Sequence, residues 1–457
     1  MNKSLFGDKR LDKRLSGMIS VLREKPNTCI PQAAANYHQA KAYYRFWDNK
    51  KVQPQLIMKS FIEETVKKSL ASDIVLAIQD TTDIDYTSHQ KTKDLGYLET
   101  PYQLGFKSHT CLSVNGNGLP LGILWQRQWA RDFDEYGKKK LRKNKPTNAK
   151  ESQRWIDCQK DVNSQLSKAK TLIHITDREG DIYEFLSLER SASQHILLRF
   201  AQDRRISGEQ HRIKTYLDSL PVMGSYKIKV GRKESEPERE AELSIKCGEV
   251  TILCPAYKKG TDVAVEVTLT AIRAYEANPE TGEPIEWYLL TSLPVNSLDD
   301  VKQIIKYYTF RWLIERYFFV LKSGCQVEKL QLETESRLEN ACATYSLVAF
   351  QILYMKYLTQ KTPDEDASAV LSQVEINVLK KKFDKNKQYL KLTVPLCIAM
   401  VWVARLGGFM GRKSDGVPGV KTIWRGMLAL HYIIEGIQIA EEYNSEFYFR
   451  KTPLDSS

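Results

Sequence analysis

The sequence predicts an α/β protein, a mixed sheet flanked by helices and carrying a β-rich insertion, with helical segments at either end. Two short apolar runs, residues 73–79 before Asp80 and 171–176 before Asp177, read as buried strands ending in acids. The turn Asn115-Gly-Asn-Gly118 stands between two strand-like segments and is a strong hairpin signal. From about 205 to 295 the chain breaks into short β-branched runs separated by Gly, Pro and charged turns.

Residues 1–70 read as helical. Stretch 12–22 has amphipathic spacing, 31–46 is rich in Ala and aromatics, and 53–70 repeats apolar residues at helical intervals. Arg10, Lys13, Arg14, Lys41 and Arg45 stud this segment. After the strand at 73–79, hairpin strands are expected at 109–114 and 119–126. A helix follows at 151–169, then the strand 171–176, a short helix at 182–188 and a strand at 195–199. Within the insertion, strands are expected at 226–231, 240–247, 251–254, 263–275 and 287–291. Helices come next at 302–321 and 337–357. Residues 362–369 read as a linker, and the tail is helical but for a turn-dense loop at 407–419. Three domains result: 1–70, 71–365 with the insertion at about 205–295, and 366–457.

At 457 residues the chain is long enough for two or three domains. Its apolar stretches, such as 396–406, are too short or interrupted to span a bilayer, and residues 1–17 lack the apolar run of a secretory signal. No membrane partner is expected. The eight cysteines stand singly without C-x-x-C spacing, which argues against a zinc site or disulfide framework and for a reducing, cytoplasmic setting. A net charge of +12 and a pI near 9.0 suggest a polyanionic partner. Residues 138–150 carry seven basic side chains and no acid, suiting a loop that follows a phosphate backbone as well as a solvated face.

Projected on a continuous helix, Tyr308, Arg311, Glu315 and Lys322 fall within roughly one sixth of a turn. Phe310, Leu313, Ile314, Tyr317 and Leu321 form the opposite, apolar stripe. One acid thus stands among donors suited to phosphate. Asp80 and Asp177, directly after buried strands, cost desolvation unless neutralised. With Glu315 they make a hard oxygen site for Mg²⁺ or Mn²⁺. A pair of such ions, about 3.5–4 Å apart, clamps the attacking and leaving oxygens of phosphoryl transfer. Each acid has a plainer reading too. Asp80 before two threonines suits a cap or turn, Asp181 competes with Asp177 as a cap, and a single helical glutamate is commonly a surface residue.

The pattern Y-x(2)-R-x(3)-E-x(6)-K, met by Tyr308, Arg311, Glu315 and Lys322, resembles the signature of insertion-sequence-four-type DDE transposases, the group of the transposon-five transposase. Asp80-Thr-Thr and Asp177-Arg-Glu-Gly-Asp181 resemble that family's two aspartate motifs. Gly7-Asp8-Lys9-Arg10, Arg14-Leu15 and Tyr44-Arg45-Phe46 resemble its end-recognition segment. Trp287-Tyr-Leu-Leu-Thr-Ser292 and residues 407–426 extend the likeness to the insertion and tail.

The resemblance implies an RNase H-like core and cut-and-paste movement of double-stranded DNA, by Mg²⁺-dependent nicking at the element's terminal repeats. A DNA hairpin then precedes joining to target DNA. It implies Asp80, Asp177 and Glu315 as catalytic metal ligands, and Tyr308, Arg311 and Lys322 as phosphate holders. Trp287 would stack on a flipped base, and Arg199 would contact DNA. Arg14 and Arg45, with Arg10 as a possible third, would contact the element end. The tail would dimerise the protein in a synaptic complex on the bacterial nucleoid. Two rivals stay open: a metal-dependent nuclease or phosphatase on the same core, and a catalytically silent or inhibitory relative that binds DNA ends.

Overall fold

The computed structural model describes residues 4–138, 145–230, 239–258, 261, 263–277, 279, 284–389, 392–412 and 415–450. Most of the basic run at 138–150, residues 139–144, lies outside the described residues.

Four helices open the chain: α1 (Lys9–Glu24), α2 (Ile30–Ala33), α3 (Tyr37–Trp47) and α4 (Pro54–Leu70). Strands β1 (Val75–Asp85), β2 (Gly96–Tyr97), β3 (Leu104–Asn115) and β4 (Pro120–Trp129) follow. Next come α5 (Gln153–Gln165), β5 (Leu172–Thr176), α6 (Tyr183–Ser187) and β6 (Gln194–Arg199). Helix α7 (Ile213–Ser219) leads into β7 (Gly224–Val230), β8 (Arg239–Leu253), β9 (Glu266–Tyr275) and β10 (Glu286–Thr291). The remainder is helical: α8 (Leu298–Thr309), α9 (Trp312–Phe319), α10 (Glu335–Lys361), α11 (Gln373–Phe383), α12 (Leu396–Leu406) and α13 (Val420–Arg450). Among the described residues, no helix is long and apolar enough to cross a membrane.

The chain folds as two compact units. One comprises Phe61–Asp83 and Lys107–Glu315. Its sheet runs β3-β1-β5-β6-β10-β9-β8-β7, with β4 also paired to β3. β1 pairs parallel with β5 and β5 with β6, whereas β6–β10 and the insertion strands beyond pair antiparallel. The result is the mixed sheet flanked by helices that the sequence predicts. Parallel strands lie covered on both faces, and Val75, Leu76, Ala77 and Ile78 are accordingly fully buried. Val75 and Ala77 pack with Cys158 and Val162 of α5. A second cluster joins Trp155, Phe185, Leu198, Ile252 and Leu290.

The other unit comprises Met1–Ser60, Ile84–Phe106 and Arg316–Ser457. Its axis is α10, buried on nearly every side from Leu338 to Leu358, as expected of a helix apolar all round. The Trp47 indole donates to Thr344 Oγ1 at 3.1 Å, and Asn340 Nδ2 donates to the carbonyls of Trp47 and Val52. Both ends of the chain are therefore helical, as predicted.

Four local expectations differ. Strand β1 continues to Asp85 because the β-branched Thr81, Thr82 and Ile84 keep the backbone extended after the apolar run stops. Residues 240–247 and 251–254 fuse into β8, since Cys247, Gly248 and Glu249 stay paired to β9. The helix expected at 31–46 divides where Asn36 caps α3 by accepting from the Gln39 amide. The helix expected at 302–321 becomes α8, α9 and a widened π turn at Val320–Gly324.

Candidate active site

Successive residues of a strand face opposite sides of the sheet. In β1 this sends Val75, Ala77, Gln79 and Thr81 towards α5 and Asp80 to the other face. Asp80 sits within the strand rather than just past its end. Its Oδ1 accepts the Thr81 amide at 2.7 Å. In the parallel register Ile78 stands beside Ile175, so two residues on Asp80 adjoins Asp177, which does follow its strand directly. Asp177 caps the tight turn Arg178–Gly180 by accepting the Glu179 amide at 2.9 Å. A side chain on Gly180 would run into Thr176, so the turn needs glycine. Asp181 is committed elsewhere, buried against Arg204 at 2.6 Å and accepting the amides of Ala201 and Gln202.

Glu315 lies in the first turn of α9. Ser297 and Asp300 form a capping box that starts α8. Between the two helices, Phe310 packs on the hairpin turn at Gly118, whose φ of +83° and lack of a side chain leave room for the ring. Leu313, Ile314, Tyr317 and Leu321 are buried, as their spacing predicts. Arg311, from the break, places Nη2 2.6 Å from Glu315 and Nη1 3.7 Å from Asp80. Its buried Nε has no partner among the described residues.

Burial, and then the neighbouring Asp177 carboxylate, push Asp80 from an ordinary 3.8 up to about 7. Glu315 adds to the rise, while the Thr81 amide and Arg311 oppose it. Among the described residues no three His, Cys, Asp or Glu side chains close into a metal cage, and Glu315 is paired with Arg311. The donor set nonetheless fits a hard divalent cation: carboxylate oxygens that repel one another, with one guanidinium shared by Asp80 and Glu315.

Tyr308, Trp287 and Arg199 gather beside these acids. The Trp287 and Tyr308 rings meet edge-on at 5.7 Å. Arg199 donates to the Glu286 carbonyl at 2.9 Å. Burial and then the charge of Arg178 hold the Arg199 guanidinium below its usual range, and Tyr308, Arg311 and Asp177 act on it as well. Tyr308 is only 4% exposed, so it does not present its hydroxyl along a solvent-facing stripe. The projection assumed one continuous helix, and the break at Phe310 and Arg311 together with the π turn removes that geometry. Lys322 belongs to the other unit, in the π turn, paired with Glu328 at 2.9 Å. In that same unit Arg14 and Arg45 are exposed and carry no ion pair among the described residues, whereas Arg10 is held by Asp8 at 3.0 Å.

Behind Asp80 runs a buried polar chain that the sequence did not reveal. Arg154 Nε donates to Thr81 Oγ1 at 2.9 Å, and that hydroxyl donates to His109 Nδ1 at 2.8 Å. His109 Nε2 donates to Gln79 Oε1 (3.2 Å), Gln79 Nε2 to His174 Nδ1 (3.3 Å), and His174 Nε2 to Asn163 Oδ1 (2.8 Å). The Gln79 amide accepts through Oε1 on one side and donates through Nε2 on the other, and with neutral rings this sets the polarity of the chain. Burial holds His109 well below its usual range and His174 down to about 3, so both rings stay neutral. The only signal in the sequence was a polar residue, Gln79 or His174, inside each apolar run.

A mixed sheet flanked by helices, with acids meeting on adjoining parallel strands, defines an RNase H-like catalytic domain. Comparison with protein families is more specific. The transposase DDE domain matches residues 122–350, half of the chain. Transposase DNA-binding matches residues 1–52, and the transposase Tn5 dimerisation domain matches 347–447. The chain belongs to the DDE transposases, enzymes that act on DNA, and its flanking domains relate it to transposases of the Tn5 type. It therefore has DNA as a partner and a domain for dimer formation. The family generally uses divalent metal ions. Asp177 and Glu315 fall inside the DDE match, Asp80 precedes it, and Arg14 and Arg45 lie in the DNA-binding match.

Proposed function

We propose that the protein moves its own element by cut-and-paste, as a member of the insertion-sequence-four group, with Tyr308, Arg311, Glu315 and Lys322 as the group signature. Residues 1–70 recognise the element ends, 71–365 catalyse, and 366–457 dimerise. Asp80, Asp177 and Glu315 are the catalytic acids and metal ligands. The observation that carries this reading is the placing of a buried Asp80 beside Asp177 on adjoining strands, with Glu315 bound to the same arginine. Burial and then the Asp177 charge push Asp80 to about 7, which a bound cation relieves.

Mg²⁺, replaceable by Mn²⁺ and bound as a pair, supplies Lewis-acid activation of water or of a 3′-hydroxyl and neutralises charge on the leaving oxygen. Water attacks the phosphodiester at the element end and frees a 3′-hydroxyl. That hydroxyl attacks the opposite strand to close a hairpin, which water reopens before the 3′-hydroxyl attacks target DNA. Arg311 offers its unpartnered Nε to the scissile phosphate, and Lys322 and Arg199 hold the flanking backbone. Trp287 stacks on a base drawn out of the duplex, with Tyr308 buried beneath it as its support. Arg14 and Arg45 contact the terminal repeat, and two protomers pair two ends in one synaptic complex.

The test supplies purified protein with Mg²⁺ and DNA bearing the ends of its own element. Wild type should cleave at the element boundary, and Glu315→Ala should bind the ends without cutting. Cleavage that persists in Glu315→Ala would overturn the acid assignment. Tight end binding with no cleavage by wild type would favour the inhibitory relative.

A further inference from the structure

Each aspartate is held by the backbone amide of a nearby residue: Asp80 by Thr81 at 2.7 Å and Asp177 by Glu179 at 2.9 Å. Arg154 binds the side chains of both holders. Its Nε donates to Thr81 Oγ1 at 2.9 Å and its Nη2 to Glu179 Oε2 at 2.7 Å. The third nitrogen, Nη1, donates to the Glu151 carbonyl at 3.0 Å. The guanidinium stands 5.5 Å from the ring centres of Trp129 and Trp155, and the side chain is 11% exposed. One planar, rigid fork thus joins Thr81 within β1 to the turn that follows β5, with no hydrogen bond to either aspartate. Thr81 also leads into the buried chain through His109, Gln79 and His174, which ties the fork to the centre of the sheet.

We propose that Arg154 is a positioning residue that sets the spacing of Asp80 and Asp177, through Thr81 on one strand and Glu179 on the other. The proposal rests on the assignment of those aspartates to catalysis. Groups behind a ligand commonly govern metal affinity by tens of fold, and small displacements at a reacting centre are costly. A lysine would keep the charge but lacks a fork that reaches both acceptors.

The test compares Arg154→Met, Arg154→Lys, Thr81→Val, Thr81→Ser and Glu179→Ala with wild type, and with Asp80→Asn as the control for the acids. Mn²⁺ affinity is measured by electron paramagnetic resonance titration of DNA-free protein. Melting temperature, end binding and end-cleavage rate at saturating DNA are measured alongside. Arg154→Met should weaken Mn²⁺ binding and slow cleavage by about 10- to 100-fold, with end binding unchanged. Arg154→Lys should recover little of this, and Thr81→Ser should restore what Thr81→Val loses. Adding Glu179→Ala to Arg154→Met should cost nothing more, because the contact is already gone.

Should Arg154→Met fail to fold, Glu179→Ala decides, since that side chain is 62% exposed and its removal spares the core. Cleavage by Asp80→Asn would remove the acid assignment and this proposal with it. Inactive Asp80→Asn alongside Arg154 and Glu179 variants that bind Mn²⁺ and cut within about twofold of wild type would overturn the positioning role alone. An equal fall in melting temperature and activity, with Mn²⁺ affinity unchanged, would overturn it as well.

Discussion

The two faces of strand β1 are built on opposite terms. Towards α5, Gln79 and Thr81 enter a chain in which each link joins a donor to an acceptor and both histidines stay neutral. On the other face Asp80 meets a second carboxylate, and its charge is only partly offset by one guanidinium at 3.7 Å. A fully paired buried network specifies one arrangement, whereas a crowded set of acids opposes its own ionisation. One face supplies rigidity and the other carries the electrostatic strain of a reactive site, separated by a single peptide. Alternation of side chains along the strand makes that division possible.

Three experiments test this contrast. The largest effect should come from Asp80→Asn, which should lower end cleavage by at least about 10²-fold and yet stabilise the metal-free protein at alkaline pH. The folded-state value of about 7 lies above the ordinary 3.8, so folding favours the protonated acid. That contribution is fully present below about pH 4 and is lost as pH rises through 7. The variant should therefore match wild type near pH 4 and exceed it by up to about 4 kcal/mol at pH 8. Urea unfolding in a chelator reads this directly, and a variant no more stable at pH 8 would contradict the strain on that face.

On the paired face, Gln79→Leu strands the His109 Nε2 proton and the His174 Nδ1 lone pair together. It should cost about 2–4 kcal/mol in the same unfolding assay, and a loss under about 0.5 kcal/mol would mean the chain is not energetically connected. The smallest stability effect belongs to the exposed arginines outside both faces. Arg14→Ala and Arg45→Ala should each change stability by less than about 0.5 kcal/mol. Each should lower the salt dependence of end binding by about one counterion. Unchanged salt slopes would remove both from the DNA contacts.

What was legible in the sequence follows from the range of each signal. The buried parallel strands, the Asn-Gly hairpin and the helical flanks are local patterns of apolarity and turn chemistry, and they stand where periodicity puts them. The end of β1 was misplaced because apolarity stops at Gln79 while the backbone preference of Thr81 and Thr82 continues. The break at Phe310 and Arg311 contains neither Gly nor Pro, and the Phe310 ring is seated on a glycine turn nearly two hundred residues earlier in the chain, a contact that no local pattern marks. Arg154 had no local mark at all. It reads as one polar residue on an amphipathic helix, and its partners stand 73 residues before it and 25 after it. Contacts of that kind exist only once the sheet has assembled.

The one-way hydrogen-bond chain has a consequence for descent. The Gln79 amide gives the chain a direction, so a residue of opposite hydrogen-bonding sense strands the neighbours it would meet. Drift at Thr81, His109, Gln79, His174 or Asn163 therefore has to be matched by compensating change along the line. Related sequences with this core should keep the six positions together or replace them together, and their covariation would be readable in an alignment.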